Sequence, residues 1–301
     1  MKKSNLLLIA ILSLVVSVSF AQTTDSRDHY SRNSFWTETL FNGPVKGKFK
    51  WQLDFQWRKT SDPSNSVGGS SNMFTNSYQH VYRPWLHYQL TDNIRLSLSP
   101  IGLWETYTGT VESGGSKKVQ PELRVCPQLT ITNKFFDRVT IDQRYRYEFR
   151  YFGNKVDTDR SEFTDYSAST EYNLKKQRLR YFVRATIPLN HKTLEKNTFY
   201  IVAWNEIFMG LGKNTANDKL WDQNRTFCLL GYKPKWDRPM RFELGYGMVV
   251  KNNFSSKIDT EGNFVETGHL IERNNVLQVY VIFENMNKLF KKDQPKPAET
   301  K

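Results

Sequence analysis

The stretch Lys48–Arg58, KFKWQLDFQWR, alternates between large apolar and polar side chains along its whole length. Successive side chains of a β-strand point to opposite faces, whereas a helix would scatter both sets around its circumference. The stretch therefore predicts a strand with one apolar face and one polar face. The apolar set is Phe49, Trp51, Leu53, Phe55 and Trp57, and the polar set is Lys50, Gln52, Asp54, Gln56 and Arg58.

Ten further segments show this alternation, some of them with more noise, and polar gaps separate them. The clearest is 139–152, where aromatic or aliphatic residues alternate with charged or polar ones. Segments of about ten residues have the length that tilted membrane strands require. The eleven predicted strands cover residues 34–41, 48–58, 78–90, 94–105, 122–131, 139–152, 178–187, 199–208, 224–232, 241–250 and 275–284.

Helices are not expected to carry the chain through a bilayer, because no stretch after Ala21 approaches eighteen apolar residues and the mean hydropathy is negative. A barrel is compatible with both facts, since every second residue faces the lumen and can be polar. We therefore expect an all-β protein, a transmembrane antiparallel up-and-down β-barrel of the bacterial outer membrane with 10 to 12 strands. Connections of alternating length support this, being short after residues 41, 90, 132, 189 and 232 and long at 61–76, 109–119, 153–176, 209–221 and 251–268.

An odd number of strands conflicts with both termini lying in the periplasm, because bacterial single-chain barrels have an even number. The polar segment 22–33 could hold a degenerate first strand, which gives twelve, the count that we favour. Alternatively, one weak segment is not a strand and the count is ten. As a third option, residues 22–33 thread the lumen as part of a plug, and the parity argument then has no force.

The first 21 residues have the features of a secretory signal peptide, namely Lys2 and Lys3, an apolar run and the small-x-small site at 19–21. The final segment is basic, contains two prolines and has too little apolar content to pack, so we expect it to be disordered. The predicted organisation is a cleaved signal peptide (1–21), an N-terminal polar segment or degenerate strand (22–33), the barrel (34–287) and the tail (288–301).

The chain is basic, with a formal charge of +13 that falls to +11 without Lys2 and Lys3. A basic balance favours anionic partners. For an exported protein, these are outer-membrane lipid, lipopolysaccharide or a small anionic solute rather than nucleic acid. A generally basic surface without a particular partner is the alternative. No cofactor or metal site is expected, because the two cysteines are isolated and the acidic residues alternate with arginines.

The charged face of each predicted strand should line the lumen, because an arginine or lysine at the centre of a barrel's lipid face costs roughly 2 to 4 kcal/mol. One interpretation is an internal ion-pair network that braces a narrow barrel. The other is an electropositive wall from Arg144 to Arg184 for an anionic solute, since guanidinium groups suit carboxylate and phosphate. The candidate lumen residues are Arg83, Arg95, Glu105, Glu122, Arg124, Asp142, Arg144, Arg146, Glu148, Arg150, Arg178, Arg180, Arg184, Glu206, Arg225 and Glu243.

Aromatic residues form 14% of the chain and concentrate at the predicted strand ends. Membrane barrels carry such rings as girdles at both interfaces, which is the role that we expect here. The alternative is that aromatic residues are common in the strands of any β-protein. The residues concerned are Trp36, Trp51, Trp57, Trp85, Trp104, Tyr151 and Trp204.

No catalytic residues are expected, because the five histidines and scattered serines such as Ser97 and Ser99 lie in no Gly-x-Ser-x-Gly elbow. A lipid-modifying enzyme of the outer membrane is therefore the least favoured function. Cys126 and Cys228 lie on predicted strands that are four apart around the wall. A disulfide needs Cα atoms within about 7 Å, so we expect two unpaired thiols.

Seven groups of motifs lie in or beside the predicted strands. They are Arg83-Pro84-Trp85, Glu122-Leu123-Arg124 with Pro127-Gln128, Arg144-Tyr145-Arg146-Tyr147-Glu148, Arg178-Leu179-Arg180-Tyr181, Trp204-Asn205-Glu206-Ile207-Phe208, Asp222-Gln223-Asn224-Arg225 and Leu244-Gly245-Tyr246. Together they resemble an uncharacterised family of bacterial outer-membrane proteins, domain of unknown function 2490. The resemblance covers most of the mature chain, and it depends on the order and spacing of the motifs rather than on any one of them. It implies a barrel and supplies no activity.

Two other functions stay open beside the enzyme. A narrow channel or a binding wall for small anionic solutes predicts a conductance that changes when Arg146 or Arg180 becomes glutamate. A plugged structural or adhesion barrel predicts no conductance and acts through its long external loops, above all 61–76 and 153–176. A soluble barrel of lipocalin type would need an apolar interior, and the charged rows argue against it.

Overall fold

The computed structural model describes residues 28–66, 68–108, 117–154, 156–158, 172–211, 220–236, 238–258 and 264–289. The predicted signal peptide, residues 22–27 and residues 290–301 of the predicted tail lie outside this part of the chain. Within it, no helix is long and apolar enough to cross a membrane. The elements are β1 (Asp28–Pro44), β2 (Phe49–Thr60), β3 (Asn76–Gln89), β4 (Ile94–Thr108), β5 (Lys117–Phe135), β6 (Val139–Phe152), β7 (Val156–Thr158), β8 (Asn173–Pro188), β9 (Thr198–Leu211), β10 (Trp221–Lys233), β11 (Met240–Ile258), β12 (Phe264–Phe283) and the one-turn helix α1 (Met286–Leu289).

Eleven of these strands form a closed barrel, and the short strand β7, which follows β6, continues its pairing along β5. All eleven segments predicted from period-two alternation correspond to wall strands, so the barrel is confirmed. The count lies within the predicted range of 10 to 12. Residues 28–33, for which a separate degenerate strand was considered, extend β1 instead.

The barrel closes through a parallel pair, β1 with β12, whereas every other neighbouring pair in the wall is antiparallel. The pairing runs from Asp28 opposite Leu270 to Phe41 opposite Phe283. On the outer face, the rings of Phe41 and Phe283 stack with centroids 4.8 Å apart. An odd number of strands that alternate in direction leaves the first and last parallel, so the expectation of an even, fully antiparallel wall is wrong.

The connections between strands differ between the two ends of the barrel. One end, the turn rim, carries the connections 45–48, 90–93, 136–138, 189–197 and 234–239. The other end, the loop rim, carries the connections that begin at residues 61, 109, 153, 212 and 259. The predicted loop 251–268 is mostly strand, because β11 and β12 stay paired up to Ile258 opposite Phe264.

The parallel seam makes a prediction that cross-linking can test. Thr39 and Val281 are register partners on neighbouring strands, whose backbones lie about 4.8 Å apart, well within the roughly 7 Å that a disulfide spans. In a Cys126→Ser, Cys228→Ser background, Thr39→Cys with Val281→Cys should therefore form a disulfide upon oxidation. Mass spectrometry of the oxidised protein would detect it.

The matched control moves one cysteine by two residues along β12. Thr39→Cys with Val279→Cys adds about 6.6 Å along the strand, which takes the Cα atoms beyond disulfide range. Efficient cross-linking of this second pair, or none of the first, would contradict the parallel register.

Candidate functional site

The two faces of β2 show how the sequence separates the outside of the wall from the lumen. Leu53, Phe55 and Trp57 are exposed on the outer face, whereas Asp54 and Arg58 are buried inside. Strand alternation therefore brings the charged rows of all the wall strands around one axis. These rows surround a central cavity of about 490 Å³.

The cavity is strongly cationic. Thirteen arginine and lysine side chains line it, against six carboxylates. Four more carboxylates, those of Glu148, Glu243, Glu272 and Glu284, lie within 4 Å of lining cations. With these included, the described lining keeps an excess of three positive charges.

Thirteen of the sixteen predicted lumen residues line this cavity, as the strand pattern indicated. Glu148 and Glu243 are also inside, where they are almost fully buried against arginines. The thirteen are Arg83, Arg95, Glu122, Arg124, Asp142, Arg144, Arg146, Arg150, Arg178, Arg180, Arg184, Glu206 and Arg225.

Glu105 is the exception, because a β-bulge in β4 reverses the alternation. Ser99 pairs with Cys126 and Gly102 pairs with Arg124, so β4 has one more residue than β5 across this interval. Pro100 lies inside it, and proline, which has no N–H to donate, is typically found in strands at bulges and edges. Glu105 consequently lies on the outer face, where its carboxylate is 3.2 Å from Nδ1 of His80.

Ion pairs form a continuous ladder over β5, β6, β8 and β9. The carboxylate of Glu148 accepts hydrogen bonds from Nη2 of Arg178 at 2.6 Å and from Nη1 of Arg180 at 2.5 Å, and Nη1 of Arg124 is 3.4 Å away. Arg180 also forms an ion pair with Glu206, at 2.7 Å. These contacts have the arrangement expected of the internal ion-pair network that was predicted for the arginine-rich strands.

A second group of contacts surrounds Asp54 on the opposite side of the lumen. Its Oδ2 accepts from Nη2 of Arg83 at 2.6 Å and from Nε1 of Trp85 at 2.8 Å. Gln52 donates to the other oxygen, at 2.5 Å. Both oxygens of this buried carboxylate therefore accept hydrogen bonds from neighbours in β2 and β3.

Four lining arginines have no carboxylate within 4 Å in the described structure: Arg58, Arg95, Arg146 and Arg225. Glutamine oxygens and aromatic rings contact three of them, Arg58, Arg146 and Arg225. Arg146 donates Nε and Nη2 to Oε1 of Gln128, at 2.8 and 2.6 Å, and lies 4.6 Å from the ring centroid of Trp85. Arginine binds aromatic faces in this way without loss of charge. The four arginines without a carboxylate therefore bring uncompensated charge into the cavity.

The cavity also presents more unused hydrogen-bond donors than acceptors. Several buried N–H groups of lining residues have no partner in the described structure, whereas the corresponding orphan acceptors of lining residues reduce to Oε1 of Gln278. A buried polar group without a partner is costly, so such groups normally meet water or a ligand. The donors are Nε of Arg95, Arg144, Arg225 and Arg241, Nη1 of Arg146, Nε1 of Trp36 and Trp204, and Nε2 of Gln223.

Four of the predicted girdle residues are in fact inside the barrel. Trp36, Trp85, Trp104 and Trp204 are almost fully buried and line the cavity, so an interfacial position is wrong for them. For Trp104 the cause is the β4 bulge, and for the other three the strand alternation itself points inward. Trp57 is exposed on the outer face, as a girdle requires.

Small residues in the wall make room for the luminal rings. At Gly231, an added Cβ would lie 2.1 Å from the ring of Tyr200, and at Gly247 it would lie 2.3 Å from the ring of Phe227. Both rings belong to a buried apolar cluster that also contains Trp36 and Trp204. The lumen is therefore part charged chamber and part packed core.

Several side chains reach across the lumen rather than along the wall. Nζ of Lys251 on β11 donates to the hydroxyl of Tyr78 on β3, four strands away, at 2.8 Å. Nη2 of Arg184 on β8 donates to Glu243 on β11 at 2.5 Å. Such contacts narrow the cavity to a chamber that is smaller than the barrel itself.

A serine and a histidine are also paired inside the lumen. Oγ of Ser97 and Nδ1 of His87 are 2.7 Å apart, and the other ring nitrogen lies 3.2 Å from Oε1 of Gln52. A hydrolase would in addition need donors for the oxyanion and access for its substrate. The pair lies within the hydrogen-bonded group around Asp54, where all three side chains have structural partners.

Both cysteines carry unpaired thiols, as predicted. Cys126 is fully buried in the lumen and Cys228 is exposed on the outside, so their side chains point to opposite faces of the wall.

Some lumen residues were absent from the sequence-based candidates. Asp54 and Arg58 were recognised on the polar face of their strand, and the same alternation would have added them to the list. Lys251 fell in the predicted loop 251–268, and Asp222 fell between the predicted loop 209–221 and the predicted strand 224–232, although both lie on strands. No sequence signal distinguishes the arginines that lack a carboxylate from those that have one.

Comparison with known proteins adds a family but no activity. A protein-family model described as a protein of unknown function (DUF2490) matches residues 33–259, which is more than half of the chain and runs from β1 to the end of β11. No curated protein and no solved structure matches the chain.

Proposed function

The chain belongs to the DUF2490 family of proteins of unknown function, and from this premise we propose that it is an outer-membrane barrel whose lumen binds and passes small anionic solutes. The observation that carries the proposal is a cationic cavity in which four arginines have no carboxylate within 4 Å among the described residues. Uncompensated guanidinium groups attract anions, and water alone cannot neutralise them.

The outer face supports a position in a membrane. Large apolar side chains remain exposed in rows along the strands, for instance Leu53 and Phe55 on β2 and Leu244 and Tyr246 on β11. A monomeric soluble protein rarely exposes contiguous apolar surface of this kind, whereas a membrane barrel requires an apolar band. The export signal expected in residues 1–21 directs such a barrel to the outer membrane of a bacterium.

The lumen contacts favour a selective chamber over a wide pore. Lys251 bonded to Tyr78 and Arg184 bonded to Glu243 span the interior. A barrel of about this strand number has an interior only slightly wider than its own side chains can fill. Solutes would therefore pass in contact with the wall, where the excess positive charge selects anions.

The same contacts favour one alternative function. If the spanning side chains never separate, the barrel is plugged and would act as a structural or adhesion protein through the connections at its loop rim. Catalysis is no part of the proposal, because Ser97 and His87 lie in the lumen, away from the acyl chains around the wall.

Conductance measurements distinguish these functions. The folded protein in a planar bilayer under a salt gradient should give a reversal potential that shows preference for anions. Arg146→Glu reverses the charge at an uncompensated position, so it should reduce or invert this preference. Arg273→Glu makes the same change at an exposed residue, which does not line the cavity, and should leave the preference unaltered.

Two results would contradict the channel. Absence of conductance from a protein that migrates as a folded barrel on unboiled gels would favour the plugged barrel. Equal effects of Arg146→Glu and Arg273→Glu would show that the lumen arginines do not set the selectivity.

A further inference from the structure

Two arginines approach the ring of Trp36 from different parts of the wall. Its centroid is 4.2 Å from the guanidinium carbon of Arg58 and 5.2 Å from that of Arg225. The two guanidinium carbons are therefore separated by no more than the sum of these distances. Arg58 is on β2 and Arg225 is on β10, four strands away around the barrel. Two cations from distant strands thus meet over one ring.

Neither cation has a carboxylate within 4 Å among the described residues. Arg58 donates to Oε1 of Gln79 at 2.8 Å and to Oε1 of Gln56 at 2.5 Å. Arg225 makes one long contact, 3.4 Å to Oε1 of Gln223. Neutral amides satisfy donors but leave both positive charges in place, and like charges this close repel each other unless an anion separates them.

Glu206 illustrates why the neighbouring ion-pair ladder does not neutralise this pair. It acts on Arg225 only from beyond 4 Å, and its oxygens already accept from Arg144 at 2.8 Å and Arg180 at 2.7 Å. The ring of Phe208 lies against Arg225 as well, at 4.5 Å. Both cations therefore contact an aromatic ring and a glutamine oxygen, but no carboxylate within 4 Å among the described residues.

Three buried donors around this pair have no partner in the described structure. They are Nε1 of Trp36, Nε of Arg225 and Nε2 of Gln223. Trp36 is 2% exposed and Gln223 is 5% exposed, and both line the central cavity together with the two arginines. The site therefore offers unused hydrogen-bond donors on three side chains and two uncompensated positive charges. A ligand that fits it has acceptor oxygens and two negative charges.

We propose that Trp36, Arg58, Gln223 and Arg225, which we call the Trp36 clamp, bind a phosphate-type oxyanion carrying two negative charges. The proposal rests on the lumen being an anion-binding chamber and assigns the place and the ligand class within it. A tetrahedral dianion offers several acceptor oxygens in different directions, which suits donors that come from separate strands. A single carboxylate has half the charge and two oxygens, and chloride gives no directional acceptors.

Titration calorimetry of the full mature chain, folded in detergent, tests this directly with inorganic phosphate as the probe. We expect one phosphate ion to bind per barrel, and we expect acetate and chloride to bind the same site with much lower affinity. Arg58→Gln and Arg225→Gln should each weaken phosphate binding about ten- to a hundredfold, the range of one charge-assisted hydrogen bond. Trp36→Phe keeps the ring and removes Nε1, so it should weaken binding about five- to tenfold.

Arg95→Gln is the matched control. It removes one positive charge from the cavity lining near the turn-rim end of β4, away from the Trp36 clamp. We expect it to change the affinity for phosphate less than twofold. Gel migration before and after heating confirms that each variant is folded. If an arginine variant does not fold, Trp36→Phe still tests the site, because it leaves the charges of Arg58 and Arg225 in place.

A second ligand identifies the source of the phosphate group. Glycerol phosphate that binds at least as tightly as inorganic phosphate points to phosphorylated solutes, whereas weaker binding points to the free ion. The assignment is overturned if the folded barrel binds no phosphate, if acetate binds equally well, or if Arg95→Gln weakens binding as much as Arg58→Gln. These results would leave intact an anion preference measured across bilayers, so the two proposals fail separately.

Discussion

Glu148→Gln should destabilise the barrel by about 3 to 5 kcal/mol, the usual effect of removing one partner from a buried charge network. The carboxylate of Glu148 has no exposed surface and accepts from Arg178, Arg180 and, at longer range, Arg124. Glutamine keeps the size but loses the charge, and it turns an N–H₂ group toward guanidinium donors. Each of the three arginines keeps another carboxylate, Arg124 with Glu122, Arg178 with Asp222 and Arg180 with Glu206, but all three lose the shared one.

Urea-induced unfolding of the protein in lipid vesicles, followed by tryptophan fluorescence, measures this change as a lower midpoint. Glu105→Gln is the matched control, because the sequence alone assigned the two glutamates to the same lumen row. Since Glu105 lies on the outer face near the loop rim, its replacement should cost less than about 1 kcal/mol. Equal losses for the two variants would show that the ladder is not what braces the wall.

Glu148 and Glu105 differ in how well period-two alternation predicts the face of the wall on which they lie. On β6, no bulge interrupts the strand around Glu148, so counting by two places it correctly. On β4, the extra residue between Ser99 and Gly102 moves Trp104 inward and Glu105 outward. Proline in the segment hints at a bulge, but the residue at which the phase changes depends on how β4 pairs with its neighbours. Alternation along one strand carries no information about that pairing.

The strand pairing that closes the barrel could not be predicted from the sequence for a similar reason. Each strand was recognisable from its own residues, whereas the parallel contact of β1 with β12 joins segments some 240 positions apart. The preference for an even count came from other barrels rather than from any residue of this chain. The structure keeps all eleven segments and resolves the parity by pairing two strands that run in the same direction.

The charge chemistry of the lumen was predictable in kind but not in detail. The sequence placed Arg144, Arg180 and Arg225 in one cationic lumen. Which arginines meet a carboxylate depends on contacts across strands, such as Arg144 with Glu206 from β6 to β9. Arg225 instead meets the rings of Trp36 and Phe208, and an aromatic partner cannot be inferred from alternation. The uncompensated arginines, on which both proposals rest, therefore emerge only from the folded wall.

Leu244→Arg should destabilise the protein by about 2 to 4 kcal/mol in lipid vesicles, the cost of an arginine in the middle of a barrel's lipid face. Leu244 lies in the outward row of β11 and is 55% exposed. It pairs with Leu230 on β10 and with Val279 on β12, so an arginine there is surrounded by apolar outer-face neighbours. Urea unfolding in vesicles measures the loss.

Leu220→Arg makes the same substitution at a residue of equal exposure, 57%, which precedes β10 at the loop rim. Near the interface such an arginine costs only about 0 to 1 kcal/mol, because its guanidinium reaches the headgroups. In a water-soluble barrel, both leucines would already face solvent, and both variants would change the stability by less than about 0.5 kcal/mol. A large loss at residue 244 together with a small one at residue 220 would therefore require acyl chains around the middle of the wall, and equal small changes would exclude them.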